Sequence, residues 1–500
     1  MEKLINFCLA TFAFAIVFSC SDDEHAMMPE TSVTAPDVMV YGLTENNQLV
    51  AFNANNSSSF ASTKAIMGIP SGEKLMSIDF RPATGELYAV SNASRFYIIN
   101  TSTANTRAVS ATAFAPLISG TIASMDFNPT VDRIRLVTNT GQNLRLNPET
   151  GAIAAIDGSI ATTSSISGIA YTNSKSGASA TVLYDVDVMT GKLFKQDPPN
   201  NGTLVEVGSL GVTFTGQAAF DINPETTVAL MAATTGSQNN LYTVDLNNGK
   251  ATSIGTLSQK IIDLAIPTNP VAYAIDNANA LQIFDPNHPV PVTKAITGLQ
   301  PSEGILGIDF RPANGQLYAL GSSSRIYTIN LGTGAATAVG AQLPTLLNGT
   351  QFGFDFNPAA DRIRVVSNLG QNLRLNPNDG TISAIDAIIN PGTTSLGAAA
   401  YTNNFAGASS TMLFVIDTNT DKLYLQDPPN NGTLSERGSL GLNIDGANGF
   451  DIGSTSQTAY LMASVGGITR IYTVNTANGS AASLSTYPNP VKGFTIGLGF

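Results

Sequence analysis

The 500-residue sequence predicts an all-β fold, a β-propeller built from four-stranded blades of about 46 residues. The stretch DFNPTVDRIRLVTNTGQNLRLNP, from Asp126 to Pro148, recurs from Asp355 to Pro377 with roughly three-quarters of its positions identical, so the chain contains an internal duplication. Short runs of alternating apolar and polar residues are separated by Gly and Pro turns, and no helical period of 3.6 residues is visible.

The duplication has a period of 230 residues, since Asp79 returns as Asp309 and Tyr242 as Tyr472. A shorter repeat lies inside it, with similar strand starts at MSIDFRP (76–82), ASMDFNP (123–129), ISGIAYT (166–172), QAAFDINP (217–224) and IIDLAIP (261–267). Their mean spacing of about 46 residues is the length expected for four strands and their turns. We therefore expect two copies, 38–267 (copy 1) and 268–500 (copy 2).

Each short repeat predicts one sheet. In the first complete repeat, the strands are MSIDFRP, ELYAVS, RFYIINT and TRAVSA, joined by turns such as Pro82-Ala83-Thr84-Gly85. One four-stranded sheet cannot cover both of its own faces, so the sheets must pack on each other, and radial stacking gives a propeller. A two-sheet sandwich is the alternative, because alternation alone does not separate the two folds.

The sequence leaves two alternatives for how the repeated sheets close into a ring. The chain enters at VMVYGLTE and NQLVAFN, which match second and third strands, and we expect the C-terminal FTIGLGF to supply the missing first strand. Across the junction of the copies, IIDLAIP-TNP-VAYAI has the spacing of a hairpin within one blade. That spacing favours one ten-bladed ring, and two five-bladed rings are the alternative.

The N-terminus predicts export. Residues 1–19 form a leader with Lys3 before an apolar run, and the ending VFSC resembles a bacterial lipoprotein signal with lipidation at Cys20. The alternative is an ordinary cleaved signal with an incidental cysteine. Residues 20–37 are predicted to be an acidic, flexible tether whose start, CSDDEH, resembles the surface-export tag of Bacteroidetes lipoproteins or simply solvates a linker. We expect an outer-membrane lipoprotein, exposed at the cell surface if the tag operates.

Composition excludes several classes of function. A formal net charge of −12 without a basic patch argues against nucleic acid as a partner. The two cysteines, Cys8 and Cys20, lie in the first twenty residues, and the two histidines are His25 and His288. The body of the chain therefore has no thiol nucleophile, no Ser-His-Asp triad and no metal site built from several histidines.

The motifs DFRPATGELYA, DFNPTVDRIR, GQNLRLNP, AYTN, QDPPNNGTL and LYTVD together resemble the bacterial secreted domain-of-unknown-function family 4394. The resemblance covers essentially 38–500, twice over. It implies an exported protein of repeat architecture. It implies no activity and transfers no catalytic residue.

Recurring acidic residues on the predicted first strands are the first candidate site. If these strands lie nearest a central axis, several carboxylates face one channel and can hold a hard cation such as Ca²⁺. Alternatively, each carboxylate accepts N–H groups of the adjacent turn and fixes the corner of its blade. The set is Asp79, Asp126, Asp221, Asp309, Asp355 and Asp451.

Arginines form the second candidate site, for an acidic sugar or another carboxylate ligand: Arg133, Arg135 and Arg145 in copy 1, and Arg362, Arg364 and Arg374 in copy 2. Pairing with Asp132, Asp361 or neighbouring blades is the alternative. Tyr171 and Tyr401, each followed by Thr and Asn, are a candidate sugar-stacking platform or ordinary packing residues.

These observations predict a non-enzymatic, lipid-anchored envelope protein that binds protein or glycan. The alternative is a carboxylate- or metal-dependent polysaccharide hydrolase or lyase, for which the recurring Glu206 and Glu436 are further acidic candidates.

Overall fold

The computed structural model describes residues 34–161, 163–392 and 394–500. These residues form 40 strands in ten four-stranded sheets, with three short 3₁₀ turns at Ala54–Asn56, Pro199–Asn201 and Pro429–Asn431. The all-β prediction is confirmed. Within the described ranges, no helix is long and apolar enough to cross a membrane. The predicted leader, Cys20 and the tether as far as residue 33 lie outside the described residues.

Copy 1 contains twenty strands. They are β1 (Met39–Thr44), β2 (Gln48–Asn53), β3 (Ser62–Ala65), β4 (Leu75–Phe80), β5 (Leu87–Ser91), β6 (Phe96–Ile99), β7 (Thr106–Ala108), β8 (Ala123–Asn128), β9 (Arg133–Thr138), β10 (Asn143–Leu146), β11 (Ile153–Ile156), β12 (Ile166–Tyr171), β13 (Leu183–Asp187), β14 (Lys192–Gln196), β15 (Leu204–Ser209), β16 (Ala218–Ile222), β17 (Ala229–Thr235), β18 (Gln238–Val244), β19 (Ala251–Thr256) and β20 (Ile261–Ala265). The sheets have the orders β4-β5-β6-β7, β8-β9-β10-β11, β12-β13-β14-β15, β16-β17-β18-β19 and β20-β1-β2-β3.

Copy 2 repeats this arrangement. Its strands are β21 (Ala272–Asp276), β22 (Ala280–Phe284), β23 (Val292–Ala295), β24 (Ile305–Arg311), β25 (Gln316–Gly321), β26 (Arg325–Ile329), β27 (Ala336–Val339), β28 (Phe352–Asn357), β29 (Arg362–Ser367), β30 (Asn372–Leu375), β31 (Ile382–Ile385), β32 (Leu396–Tyr401), β33 (Leu413–Asp417), β34 (Lys422–Gln426), β35 (Leu434–Ser439), β36 (Gly446–Ile452), β37 (Ala459–Val465), β38 (Ile468–Val474), β39 (Ala481–Thr486) and β40 (Val491–Ile496). The sheets have the orders β24-β25-β26-β27, β28-β29-β30-β31, β32-β33-β34-β35, β36-β37-β38-β39 and β40-β21-β22-β23.

Burial decreases from the first strand of each sheet to the fourth. Every residue of β12 is buried, whereas no residue of β15, the fourth strand of the same sheet, is buried. First strands therefore read as nearly continuous apolar runs, because both faces are covered by neighbouring sheets. Fourth strands such as β11 alternate between half-buried and exposed residues, as expected for one covered face.

The first strands of different sheets contact each other in series. In copy 1, β4 contacts β8, β8 contacts β12, β12 contacts β16, β16 contacts β20, and β20 contacts β4. In copy 2, the same series runs through β24, β28, β32, β36 and β40 and returns to β24. Residues at equivalent positions on these strands are therefore brought together within each copy.

The expected partner of the N-terminal strand was wrong. Strand β1 pairs with β20, from the end of copy 1, and the C-terminal β40 pairs with β21 instead. The junction does not form the expected hairpin either, because β20 and β21 belong to different sheets. The hairpin spacing indicated only a pairing between neighbouring segments of the chain. In the structure the two ends of each copy pair with each other, so every sheet of that copy has a first strand. The spacing of residues does not reveal such a long-range pairing.

One apolar cluster joins the two copies. Ala83 of copy 1 packs in a cluster with Tyr273, Phe310 and Leu498 of copy 2. The Tyr273 hydroxyl donates to the Ala83 carbonyl at 2.8 Å, and the last residues of the chain join this contact, since the Gly499 N–H donates to the Thr84 carbonyl at 2.7 Å. The copies thus meet through a packed interface, and its edges form part of the molecular surface.

Candidate functional site

Three carboxyl groups converge in each copy. In copy 1 they belong to Asp79, Asp126 and Asp221, on β4, β8 and β16, and in copy 2 to Asp309, Asp355 and Asp451, on β24, β28 and β36. Each residue offers one carboxylate oxygen, and within a copy these oxygens all lie within 4.8 Å of one another. All six side chains are buried. The predicted convergence of the recurring aspartates therefore occurs separately in each copy.

Backbone N–H groups also bind these carboxylates. Asp79 accepts the N–H of Phe80 at 2.7 Å and that of Phe127, on the next first strand, at 2.8 Å. Asp309 accepts the N–H groups of Phe310 and Phe356 in the same way, both at 2.8 Å. The two alternatives from the sequence are thus both present in part, because the carboxylates converge and also fix the backbone. The N–H groups belong to the next residue of the same strand and to the neighbouring first strand, and not to the adjacent turns that the sequence suggested.

Burial sets the charge state of the clusters. It raises the pKa of Asp221 to about 7 and that of Asp451 to about 6, against N–H hydrogen bonds that lower both. The pKa of Asp79 is raised well above its usual range by burial and then by the charge of Asp221. Three ionised carboxylates in such a space repel each other, so the clusters hold protons or a cation. Oxygen ligands of this kind suit Ca²⁺ chemically.

The predicted arginine site is largely paired within the chain. Arg145 and Arg374 bind Asp157 and Asp386 through two hydrogen bonds each, at 2.7 and 2.9 Å. Arg133 and Arg362 donate to the backbone carbonyl groups of the preceding residues, Asp132 and Asp361, at 2.8 Å. The pairing alternative is therefore supported for Arg145 and Arg374, with partners other than the expected Asp132 and Asp361.

Arg135 and Arg364, the other two members of the predicted arginine cluster, are buried. Arg135 is fully buried and donates to Asn143, Asp157 and Asn200, at 2.7, 2.6 and 2.7 Å. Burial alone would raise the pKa of Asp157, but hydrogen bonds from Arg145 and Arg135 lower this pKa below its usual value. The pairing alternative is therefore supported for Arg135, and for Arg364, which binds Asp386 at 2.6 Å.

Two other candidate sets do not form an open site. Tyr171 and Tyr401 are buried, and Nε of Arg135 and of Arg364 donates to their hydroxyl groups at 3.3 Å, so the predicted stacking platform was wrong. The exposed Glu206 and Glu436 pair with Lys192 and Lys422, at 2.7 and 2.9 Å. They lie on the fourth strands β15 and β35 of separate copies.

An open cleft lies where the copies meet. Its volume is 580 Å³, and copy 1 contributes the turn at 85–87 and residues 98–107 of β6, β7 and their connection. Copy 2 contributes Pro312, the loop 403–407 after β32, the turn at 454–457 and Leu498–Gly499. Neither copy forms this cleft alone, which is why the repeat pattern of the sequence did not predict it.

The lining of the cleft combines uncharged polar side chains with apolar groups in similar measure. Exposed Asn105 and Gln457 lie on opposite copies, and the ring of Phe405 is 40% exposed beside them. Arg107 is already paired, since its guanidinium binds Glu86 at 2.8 Å and the Ala313 carbonyl at 3.0 Å. The cleft therefore offers amide and hydroxyl groups with one aromatic face, and little free charge.

Comparison with known proteins agrees with this repeat structure. No curated protein matches the chain. A family model described as "Domain of unknown function (DUF4394)" matches twice, over residues 48–265 and 280–495, which together span most of the chain. The two matches fall within the two copies and include the carboxyl clusters. The chain therefore belongs to the DUF4394 family and carries two tandem copies of its domain.

Proposed function

We propose that this protein is a non-enzymatic, glycan-binding protein of the cell envelope that holds its ligand in the cleft between the two copies. The observation that carries the proposal is the 580 Å³ cleft, lined by polar side chains of both copies around the exposed ring of Phe405. An aromatic face together with amide and hydroxyl groups suits a polyhydroxylated ligand. Ligand sites commonly lie at such junctions between domains.

The architecture that presents the cleft is a pair of five-bladed β-propellers, 38–267 and 268–500. Two observations support it: the contacts between first strands return to their starting strand within each copy, and each copy pairs its own ends through β1 with β20 and β21 with β40. These contacts favour two rings over the single ten-bladed ring that the junction spacing suggested. Interlocked ends of this kind close a propeller and protect its edges.

Membrane attachment is the second part of the proposal. The leader 1–19, the VFSC ending and the acidic tether 20–37 support export and lipidation at Cys20, with the protein held at the outer membrane, and on the cell surface if CSDDEH acts as an export tag. Acyl chains gain roughly 0.8 kcal/mol for each buried CH₂, so several chains anchor a protein firmly. A tethered binding domain would retain glycan at the envelope.

Burial of the carboxyl clusters disfavours the enzymatic alternative. The six aspartates are buried on first strands and hold backbone N–H groups, so a polysaccharide in the cleft does not reach them. Within the cleft, Glu86 is paired with Arg107. General acid–base hydrolysis requires a pair of carboxyl groups flanking the reacting bond, which the described lining of the cleft does not supply.

The test is glycan binding by residues 35–500, screened on a glycan array and measured by calorimetry for the best ligand. Phe405→Ala should weaken binding about two- to tenfold, because stacking on an aromatic ring contributes about 0.5–1.5 kcal/mol. Lys175→Ala is the matched control, since Lys175 occupies the position of Phe405 in copy 1 and is not part of the cleft. Equal affinity of the wild type and Phe405→Ala for every bound glycan would refute the proposed site, and no binding to any glycan would refute the function.

A further inference from the structure

A layer of backbone N–H groups lies next to each carboxyl cluster. The clustered aspartates accept N–H groups of first-strand residues such as Phe80 and Phe127. The layer consists of the N–H groups of the residues two positions earlier on the same strands, such as Ile78 and Met125. In copy 1, side chains satisfy this layer. Ile78 donates to Oδ2 of Asp263 at 2.9 Å and Leu264 to its Oδ1 at 3.0 Å, while Met125 and Ile169 donate to the hydroxyl groups of Ser77 and Ser124, at 2.9 and 3.0 Å.

Copy 2 lacks the side chains that accept these N–H groups in copy 1. Glycine replaces all three acceptor residues, with Gly307, Gly353 and Gly493 at the positions of Ser77, Ser124 and Asp263. The four equivalent donors are the N–H groups of Ile308, Phe354, Ala399 and Phe494.

These four N–H groups point away from the second strand of their sheets. The residues two positions further along the same strands, Phe310, Phe356, Tyr401 and Ile496, donate to the clustered aspartates, and strand N–H groups alternate in direction. The four residues are buried, and no side-chain acceptor is seen for their N–H groups in the described part of the chain. Buried N–H groups without a partner are rare because they destabilise the fold, so water or a ligand must accept from them.

A cavity of 240 Å³ lies at these donors. Residues from all five first strands of copy 2 line it, including the three glycines and the four donor residues. Lys492 lines it as well, and this side chain forms no ion pair within the described residues. The cavity has room for a molecule of several heavy atoms.

We propose that the copy 2 cavity binds a small carboxylate ligand, which takes the place that the Asp263 carboxyl group occupies in copy 1. The two oxygens of one carboxylate can accept the N–H groups of Ile308 and Phe494, as Asp263 accepts those of Ile78 and Leu264. Lys492 supplies a compensating positive charge at the cavity wall. This site is separate from the cleft and does not depend on glycan binding.

The carboxyl cluster of Asp309, Asp355 and Asp451 does not prevent a carboxylate from binding in the cavity. Burial raises the pKa of Asp309 and Asp355 well above the usual range, and repulsion within the cluster raises both further, which favours the protonated, uncharged form of these groups. Copy 1 already holds a fourth carboxyl group, that of Asp263, beside its own cluster.

The test uses sodium acetate as the probe, with sodium chloride at equal concentration as the reference. Saturation-transfer NMR on the acetate methyl group measures binding to residues 35–500, and thermal unfolding measures its effect on stability. We expect one site per chain and an unfolding midpoint raised by about 3 °C at a hundred times Kd.

Variants in the two copies should act in opposite directions. Gly493→Asp places a carboxyl group where Asp263 stands in copy 1 and should abolish acetate binding. Gly493→Ala measures the separate cost of a side chain at this position, where φ is 68° and the added Cβ would lie 3.2 Å from the Ile308 nitrogen. It should weaken acetate binding less than Gly493→Asp does, because a methyl group supplies no acceptor. Asp263→Gly opens the equivalent place in copy 1 and should raise the stoichiometry from one to two.

Two results would overturn the proposal. One is an equal acetate response of the wild type and Gly493→Asp. The other is a wild-type response no larger than that to chloride, combined with a crystal structure from acetate that shows water only in the cavity. If Gly493→Asp fails to fold, the change of stoichiometry in Asp263→Gly remains decisive.

Discussion

The carboxyl group of Asp79 joins two sheets, because one oxygen binds its own strand at Phe80 and the other accepts the N–H of Phe127 on the neighbouring first strand at 2.8 Å. Asp309 makes the same connection to Phe356 in copy 2. The conserved geometry of the two copies assigns these aspartates a structural role at the contacts between sheets.

Removal of this carboxyl group should destabilise the copy that contains it. Asp79→Ala leaves two buried N–H groups without an acceptor, at about 1–3 kcal/mol each, so we expect a loss of about 2–5 kcal/mol in the free energy of unfolding. Urea denaturation measures it. The exposed Glu206→Ala is the control and should change stability by less than about 1 kcal/mol. A loss for Asp79→Ala no larger than for the control would contradict the structural role.

The carboxyl clusters should make stability depend on pH. Burial raises the pKa of Asp221 to about 7 and that of Asp451 to about 6, from about 3.8 for an unperturbed aspartate. A raised pKa in the folded state favours the protonated form, so this contribution to stability is complete below pH 4 and is lost as pH rises through 6 to 7. We expect Asp221→Asn to flatten the decline in unfolding midpoint between pH 4 and pH 8. Parallel profiles for wild type and variant would contradict the assigned protonation.

A buried carboxyl group in copy 1 has no partner. Both oxygens of Asp185 lack a hydrogen bond within the described residues, and burial raises its pKa to about 8. Copy 2 has Val415 at the same position, also buried. Asp185→Val should therefore stabilise the protein by about 1–3 kcal/mol near neutral pH, since it removes an unsatisfied polar group. Val415→Asp is the reciprocal variant and should destabilise the protein. If Asp185→Val destabilised the protein, or Val415→Asp stabilised it, the carboxyl group at this position would have a favourable partner, which would contradict the prediction.

Chelation should have little effect on stability. The clustered aspartates are buried and bind backbone N–H groups, so we expect the same unfolding midpoint at pH 7 with and without excess EDTA. A cation bound at a hundred times its Kd would add roughly 2.7 kcal/mol. A reversible fall of the midpoint in EDTA, restored by Ca²⁺, would instead establish a cation site at the carboxyl clusters.

Much of the fold followed from the sequence because repetition is visible in it. The 230-residue period, the four strands of the unit that contains Asp79, and the position of the aspartates on first strands needed only alternation and turn residues. The pairing of β1 with β20 did not follow, because the strands are far apart in the chain and local spacing favoured a hairpin instead. Long-range pairing depends on closure of the whole copy, which no local pattern encodes.

The candidate sites could be predicted from the sequence only in part. The convergence of Asp79, Asp126 and Asp221 was one of the two alternatives that their equivalent strand positions suggested. The cleft around Phe405 was not, because it arises where the two copies touch, and neither repeat carries that information. The copy 2 cavity depends on differences between the copies, such as Gly493 against Asp263, which a search for similarity passes over.

Glycan binding in the cleft is the central claim, and hydrogen–deuterium exchange with the best glycan ligand tests it most directly. We expect slower exchange in 98–107 of copy 1 and 403–407 of copy 2 together, because one ligand bridges both copies. Unchanged exchange in both segments, with protection confined to other loops, would contradict the claim.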